Sequence, residues 1–308
     1  MFTKCSLSFL PTSGYATSIS MRIFFLVALL ALPNAAKAKS TPDPQSTTSP
    51  FQVLEDVVGQ SWTRWDLNDF GRDPNGIVDL LEYLRANVVR GSNLPDDYDR
   101  IVDFGTWVRP YQNDCRNMRA FVLIRDADPS VEVKYTAAGC SVSTGLWNDP
   151  YSGNQFKKAR ALDIDHMVPL HNAYQMGANR WTPPRRCHYA NYMGNGIHLR
   201  AVASVENRSK GDNSPDAYMP SNTASHCEYV SNWMKIKAIW ELSATRDEIA
   251  AIEEVFKRNR CQPSDNLLRA TDLMNQRHAS QQVSDVCSDF DGTLNAAMRW
   301  EQPTEESD

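Results

Sequence analysis

The sequence predicts a mixed α+β domain stapled by disulfides. Three observations point there: an alternating strand–strand–helix segment between residues 160 and 213, two late stretches of helical periodicity, and six cysteines that remain after a predicted leader is removed. At 308 residues the chain allows one large domain or two small ones, and a composition with 42% hydrophobic residues permits a sizeable core. The net charge of −5 excludes a protein that coats nucleic acid through bulk charge, so any such contact must be local.

The chain opens like an exported protein. Arg22 precedes an apolar run, Ile23 to Leu32, and Ala36-Lys37-Ala38 offers a small-residue cleavage site. Residues 1–38 therefore read as a signal peptide, with Met21 an alternative start. The run is short for a membrane span, and no later stretch is long and apolar enough for one, so a secreted, extracellular or periplasmic protein without a membrane anchor is expected. Residues 39–50, rich in Ser, Thr and Pro, read as a flexible linker. Residues 51–76 show no clear period.

Cys5 leaves with the leader. An even number of remaining cysteines in an exported chain indicates three disulfides. Cys115 and Cys140 flank the central strands and Cys227 and Cys261 lie by the two late helices, which leaves Cys187 and Cys287. A zinc-stabilised module is the rival reading; the chain has no CxxC pair to support it.

Element by element, Ile77, Leu80, Leu81 and Leu84 fit one helix face. Ala120 to Ile124 and Val131 to Val133 read as short strands, and Gly139 to Trp147 as strand and turn. Tyr229, Trp233, Ile236 and Trp240 recur at helical spacing over 223–241, as core packing. Thr245-Arg246-Asp247-Glu248 is a capping box opening a second helix, and a further one is expected near 264–278. Glu301 to Asp308 read as a disordered tail.

The chemistry sits in 160–213. Leu162 to His166 alternates apolar and polar as a half-buried strand does, Val168-Pro169 ends it, Ile197 to Val202 returns, and Ser204 is positioned to cap a helix carrying Asn207. Such a unit brings Asp165, His166 and the first turn of the helix together. Phosphodiester hydrolysis needs a base of pKa near working pH, which histidine supplies, and a hard cation on a few oxygen ligands. Arg208, Lys210 and Arg160 are candidate phosphate contacts. Between residues 151 and 210, nine basic residues face three acidic ones, a local excess of six on an acidic chain. His171, His188 and His226 read as surface or packing residues, Asp163 as a structural partner for an arginine or a backbone N–H, and Asp212 and Asn213 as turn residues after the helix.

Asp163-Ile164-Asp165-His166-Met167-Val168-Pro169 followed by Asn207-Arg208-Ser209-Lys210 resembles the HNH, or His-Me finger, nucleases, in particular secreted proteins related to the nuclease domain of GmrSD-type restriction enzymes. Tyr98-Asp99-Arg100, Phe104-Gly105, Asp114-Cys115-Arg116, Val122 to Arg125, Gly139 to Val142, Trp147 to Tyr151 and Tyr229 through Trp240 extend the likeness to residues 77–262, leaving 263–308 as a C-terminal extension. The resemblance implies a small ββα-metal core inside one disulfide-stapled domain with C-terminal helices. It also implies one divalent metal held by Asp165 and Asn207, Mg²⁺ first and Mn²⁺ an alternative, with His166 as general base. The family's middle asparagine falls on His198, which would then orient the base; Asn191 and Asn195 are substitutes for tying the hairpin. The expected protein is a monomeric endonuclease on DNA with low sequence specificity, since no base-reading module is visible. A ribonuclease and a catalytically silent binding protein on the same scaffold are the alternatives.

Overall fold

The hairpin expected around the Asp-His pair forms: in a computed structural model, Leu162–His166 and Leu199–Ala203 run antiparallel, with Asp165 opposite Arg200 and His166 opposite Leu199. The structure describes residues 76–89 and 94–293. The expected signal peptide, linker and C-terminal tail, and nearly all of the 51–76 segment, lie outside the described residues.

In chain order the elements are β1 (Ile77–Asp79), α1 (Leu80–Ala86), α2 (Arg100–Phe104), α3 (Met118–Asp126), β2 (Lys134–Tyr135), β3 (Val142–Asn148), β4 (Gln155–Lys158) and β5 (Leu162–His166). Then follow α4 (Leu170–Gln175), α5 (Pro183–Ala190), β6 (Leu199–Ala203), α6 (Ser204–Lys210), α7 (His226–Ile239), α8 (Arg246–Asn259), β7 (Leu267–Arg269), α9 (Ala270–Gln281) and α10 (Asp285–Ser288). Among the described residues three antiparallel sheets form: β1 with β7, β2-β3-β4, and β5 with β6.

The hairpin separates two apolar clusters. Leu162, Ile164, Leu199 and Ala201 pack with Val122 and Leu123 of α3 and with Trp147. Val202, with Met167 and Val168 just beyond β5, joins a larger cluster built on α1, α5, α7, α8 and α9, with Tyr229, Trp233 and Trp240 wholly or almost wholly buried. A two-stranded unit has two open edges, whose backbone groups need partners. Helix α3 supplies some: Arg119 donates to the Leu162 carbonyl at 2.9 Å, Arg125 to the Leu199 carbonyl, and Asp126 accepts from the Ala201 N–H at 2.8 Å.

Helix α3 corrects an expectation. Ala120 to Ile124 is helical, not a strand. Asn117 caps it by accepting from the Ala120 N–H, and the apolar run is the buried face of a helix. A short apolar run has no period that separates the two conformations. Val131 to Val133 forms no strand either; pairing begins at Lys134. In the 77–88 stretch three residues pair with β7 before the helix starts, capped by Asp79. The capping box at Thr245 and Glu248 forms as expected. Glu248 also accepts from Trp233 Nε1 at 2.5 Å and Lys237 Nζ at 3.0 Å, so one carboxylate satisfies a helix end, an indole and a buried ammonium.

The disulfides join Cys115 to Cys140, Cys187 to Cys287 and Cys227 to Cys261, the three pairs expected. The Cys187–Cys287 bridge is fully buried and ties α10 to α5, while β7 pairs with β1 and α9 packs on α7, so residues 263–293 are integral to the core.

Candidate active site

Helix α6 follows β6 without a loop and lies along β5. Ser204, Asn207 and Lys210 are spaced three apart, so all lie near one helix face, and that face meets the carboxylates of β5. Ser204 Oγ donates to Asp163 Oδ1 at 3.0 Å, Asn207 Nδ2 to Asp163 Oδ2 at 3.4 Å, and Lys210 Nζ to Asp165 Oδ1 at 2.6 Å. Asp163 and Asp165 share a strand face because side chains alternate. Ser204 therefore tethers the helix to the strand; the helix cap is Ala203, one residue earlier than expected.

Asp165 is almost wholly buried. Its second oxygen accepts from Tyr151 Oη at 2.7 Å, and burial together with the Asp165 charge pushes that phenol well above its ordinary pKa. Lys210 is fully buried and also donates to the His166 carbonyl at 2.8 Å. Burial pushes its ammonium down, and Asp165 counters that. Lys210 is thus not a surface phosphate contact; its charge is spent inside the protein.

His166 sits on the other side of β5. Its ring stacks on Trp107 with centroids 5.4 Å apart and planes 8° apart, and Nε2 lies 2.9 Å from the Ala190 carbonyl. A carbonyl only accepts, so Nε2 carries the proton and Nδ1 is left as the acceptor nitrogen. Burial, then the charge of Arg100, holds the imidazole well below its usual pKa, in the neutral form.

His198 is fully enclosed and does not line the pocket, so it makes no direct contact there. Its Nε2 lies 2.7 Å from the Tyr189 carbonyl, and its ring stands edge-on to His166 at 6.2 Å. Burial lowers its pKa to about 3. Asn195 closes a local turn ahead of β6, accepting from the Ile197 and His198 N–H groups at 3.1 and 2.9 Å, and Asn191 bonds Val108, Thr106 and Cys187, so neither side chain bonds across the hairpin.

Asp165, His166, Asn207 and Arg208 line one pocket of about 360 Å³, together with Tyr98, Arg100, His171 and Asp212. Arg208 is largely exposed, 3.6 Å from Asp163, the arginine partner expected for that carboxylate. The expected basic face is smaller than its count of residues. Arg200 pairs with Glu228, Arg186 with Asp103 and Arg185 with Glu241, Lys210 is buried, and Arg160 is exposed without lining the pocket. Sequence reasoning assigned no site role to Tyr151, Trp107 or Arg100, whose contacts are long-range. His171, read as surface or packing, lines the pocket, and Asp212, read as a turn residue, accepts from it at 2.6 Å. The burial of Lys210 did have a signal, its three-residue spacing from Asn207.

The family model for the GmrSD restriction endonucleases, C-terminal domain, matches residues 126–255. An "Uncharacterized secreted protein" of Arthroderma benhamiae is 35% identical over 173 residues, covering 56% of this chain and 81% of that protein. No solved structure matches. The chain belongs to the GmrSD C-terminal domain family.

Proposed function

We propose that this protein is an exported, divalent-metal-dependent endonuclease of the HNH type, with β5, β6 and α6 as its ββα core and DNA as the leading substrate. The observation that carries the reading is that Asp165 and His166 on one strand and Asn207 and Arg208 on a helix some 40 residues later line one pocket. The family's description as a restriction-endonuclease domain supports nuclease chemistry, and the relative's description as secreted, with three disulfides here, supports export.

The donor set fits a hard cation such as Mg²⁺ or Mn²⁺. A carboxylate has about four acceptor positions, and Asp165 uses two of them. The Asn207 amide nitrogen is engaged with Asp163, which leaves its oxygen as the ligand atom. Oxygen ligands few in number suit an ion that keeps its waters. When bound, the metal neutralises charge on the phosphate and assists the leaving oxygen.

The chain's own groups supply the rest. His166 Nδ1 takes the proton of the attacking water, with the ring fixed by the Ala190 carbonyl and Trp107. Tyr151 and Lys210 hold the Asp165 carboxylate in place. Arg208 contacts phosphate oxygens. His198 acts as a positioning residue behind His166. RNA, which presents the same phosphodiester, is the alternative substrate. The salt bridge of Lys210 to Asp165 favours a second reading, a catalytically silent binding protein, because the ammonium already compensates the carboxylate.

Plasmid cleavage by the purified mature protein, with Mg²⁺, with EDTA and with His166→Ala, separates them. Nicking that requires metal and disappears in the variant is expected. Intact plasmid and RNA across Mg²⁺, Mn²⁺ and Ca²⁺ would leave the silent binding protein.

A further inference from the structure

We propose that Arg100 is a substrate-binding residue of this pocket, holding a phosphate of the nucleic-acid strand from α2 as Arg208 does from α6. The proposal deepens the nuclease reading and rests on it.

Arg100 stands in an acidic stretch, Asp96-Asp97-Tyr98-Asp99-Arg100, where a surface arginine ordinarily finds a carboxylate. Asp97, Asp99 and Asp103 are committed elsewhere. Asp97 accepts from the Tyr174 hydroxyl at 3.0 Å. Asp99 caps α2, accepting from the Ile101 and Val102 N–H groups at 2.9 Å. Asp103 accepts from the Asp99 N–H at 2.9 Å and faces Arg186 at 3.6 Å.

The carboxylates of the pocket are taken too: Asp165 by Lys210 and Tyr151, Asp212 by His171. Arg100 is exposed, lines the pocket beside His166 and Asn207, and makes no hydrogen bond or ion pair among the described residues. Two residues earlier, Tyr98 stacks on His171 at 4.8 Å with planes 12° apart, and Asp212 holds that imidazole, so the wall carrying Arg100 is braced. A guanidinium presents five donors in a planar fork that matches two phosphate oxygens. The buried Lys210 cannot do this work, and among the basic residues of 151–210 only Arg208 shares the pocket lining without being buried. Arg100 supplies the second cation that a phosphodiester strand needs there.

The test is binding of a fluorescent oligonucleotide by anisotropy in EDTA at several salt concentrations. The mature His166→Ala protein is the parent, and Arg100→Gln, Arg100→Lys and Arg269→Gln are added to it. Arg269 is exposed, pairs with Asp272 and does not line the pocket. Arg100→Gln is expected to weaken binding roughly tenfold and to lower the slope of log K against log salt by about 0.7–0.9, one phosphate contact. Arg100→Lys should restore the slope but only part of the affinity, and Arg269→Gln should match the parent. With His166 intact, Arg100→Gln should raise KM more than it lowers kcat, with an unchanged thermal melt. Parental affinity and slope in Arg100→Gln, alongside a wild type that cleaves, would overturn this proposal alone. A wild type that neither binds nor cleaves DNA or RNA removes the nuclease reading and this proposal with it.

Discussion

Lys210 Nζ lies 2.6 Å from Asp165 Oδ1 with both side chains enclosed, so the last turn of α6 and the end of β5 are joined by a buried ion pair. Both charges have left water, and each is tolerated because the other is present. Lys210→Ala leaves Asp165 uncompensated and should cost about 3–5 kcal/mol, read as a lower urea midpoint at unchanged slope. A melt like wild type in Lys210→Ala would mean that the pair contributes nothing.

Trp107 fixes the plane of His166 by stacking on it. With His166 as the proposed base, Trp107→Ala should lower kcat about 10–100-fold through misplacement of its ring, with KM little changed, while Trp107→Phe keeps most of the rate. Equal losses in the two variants would show that the stack is not what matters.

His198 gives the fold an acid sensitivity. Its pKa is about 3 in the folded protein against an ordinary 6.5, with burial the first cause. Between those values the unfolded chain binds a proton that the folded one does not, so stability falls as pH drops below about 6.5. This one group contributes at most about 1.4 kcal/mol per pH unit. Denaturation of wild type and His198→Gln between pH 7 and pH 4 should show a shallower loss in the variant; parallel curves would contradict the assignment.

Removing the buried Cys187–Cys287 bridge, which closes a loop of 100 residues, frees the C-terminal helices in the unfolded chain. The double Cys→Ala variant should lose about 2–5 kcal/mol of stability, seen as a lower Tm. Peptide mapping without reductant checks all three pairs in the same preparation.

The sequence by its own patterning specifies the local unit and the residues gathered at its pocket. Alternation over Leu162 to His166, the proline that ends it and the returning strand specify a hairpin, and the helix that follows carries Asn207 into the same pocket as Asp165 and His166. Those signals are legible because they arise between residues close in the chain, as is the capping box at Thr245. The apolar run of α3 carries no local signal that separates helix from strand, because its burial, which decides between conformations, comes from partners far away.

Which charges face solvent is settled by contacts across the fold. Lys210 and Arg208 stand two residues apart on one short helix, yet one is sealed against Asp165 and the other points into the open pocket. Tyr151 and Trp107 reach the site residues from two connecting segments and Arg100 from α2, and His198 stands behind His166. The physical reason is that burial and charge pairing are properties of contacts across the fold, which residue type and spacing constrain only within an element.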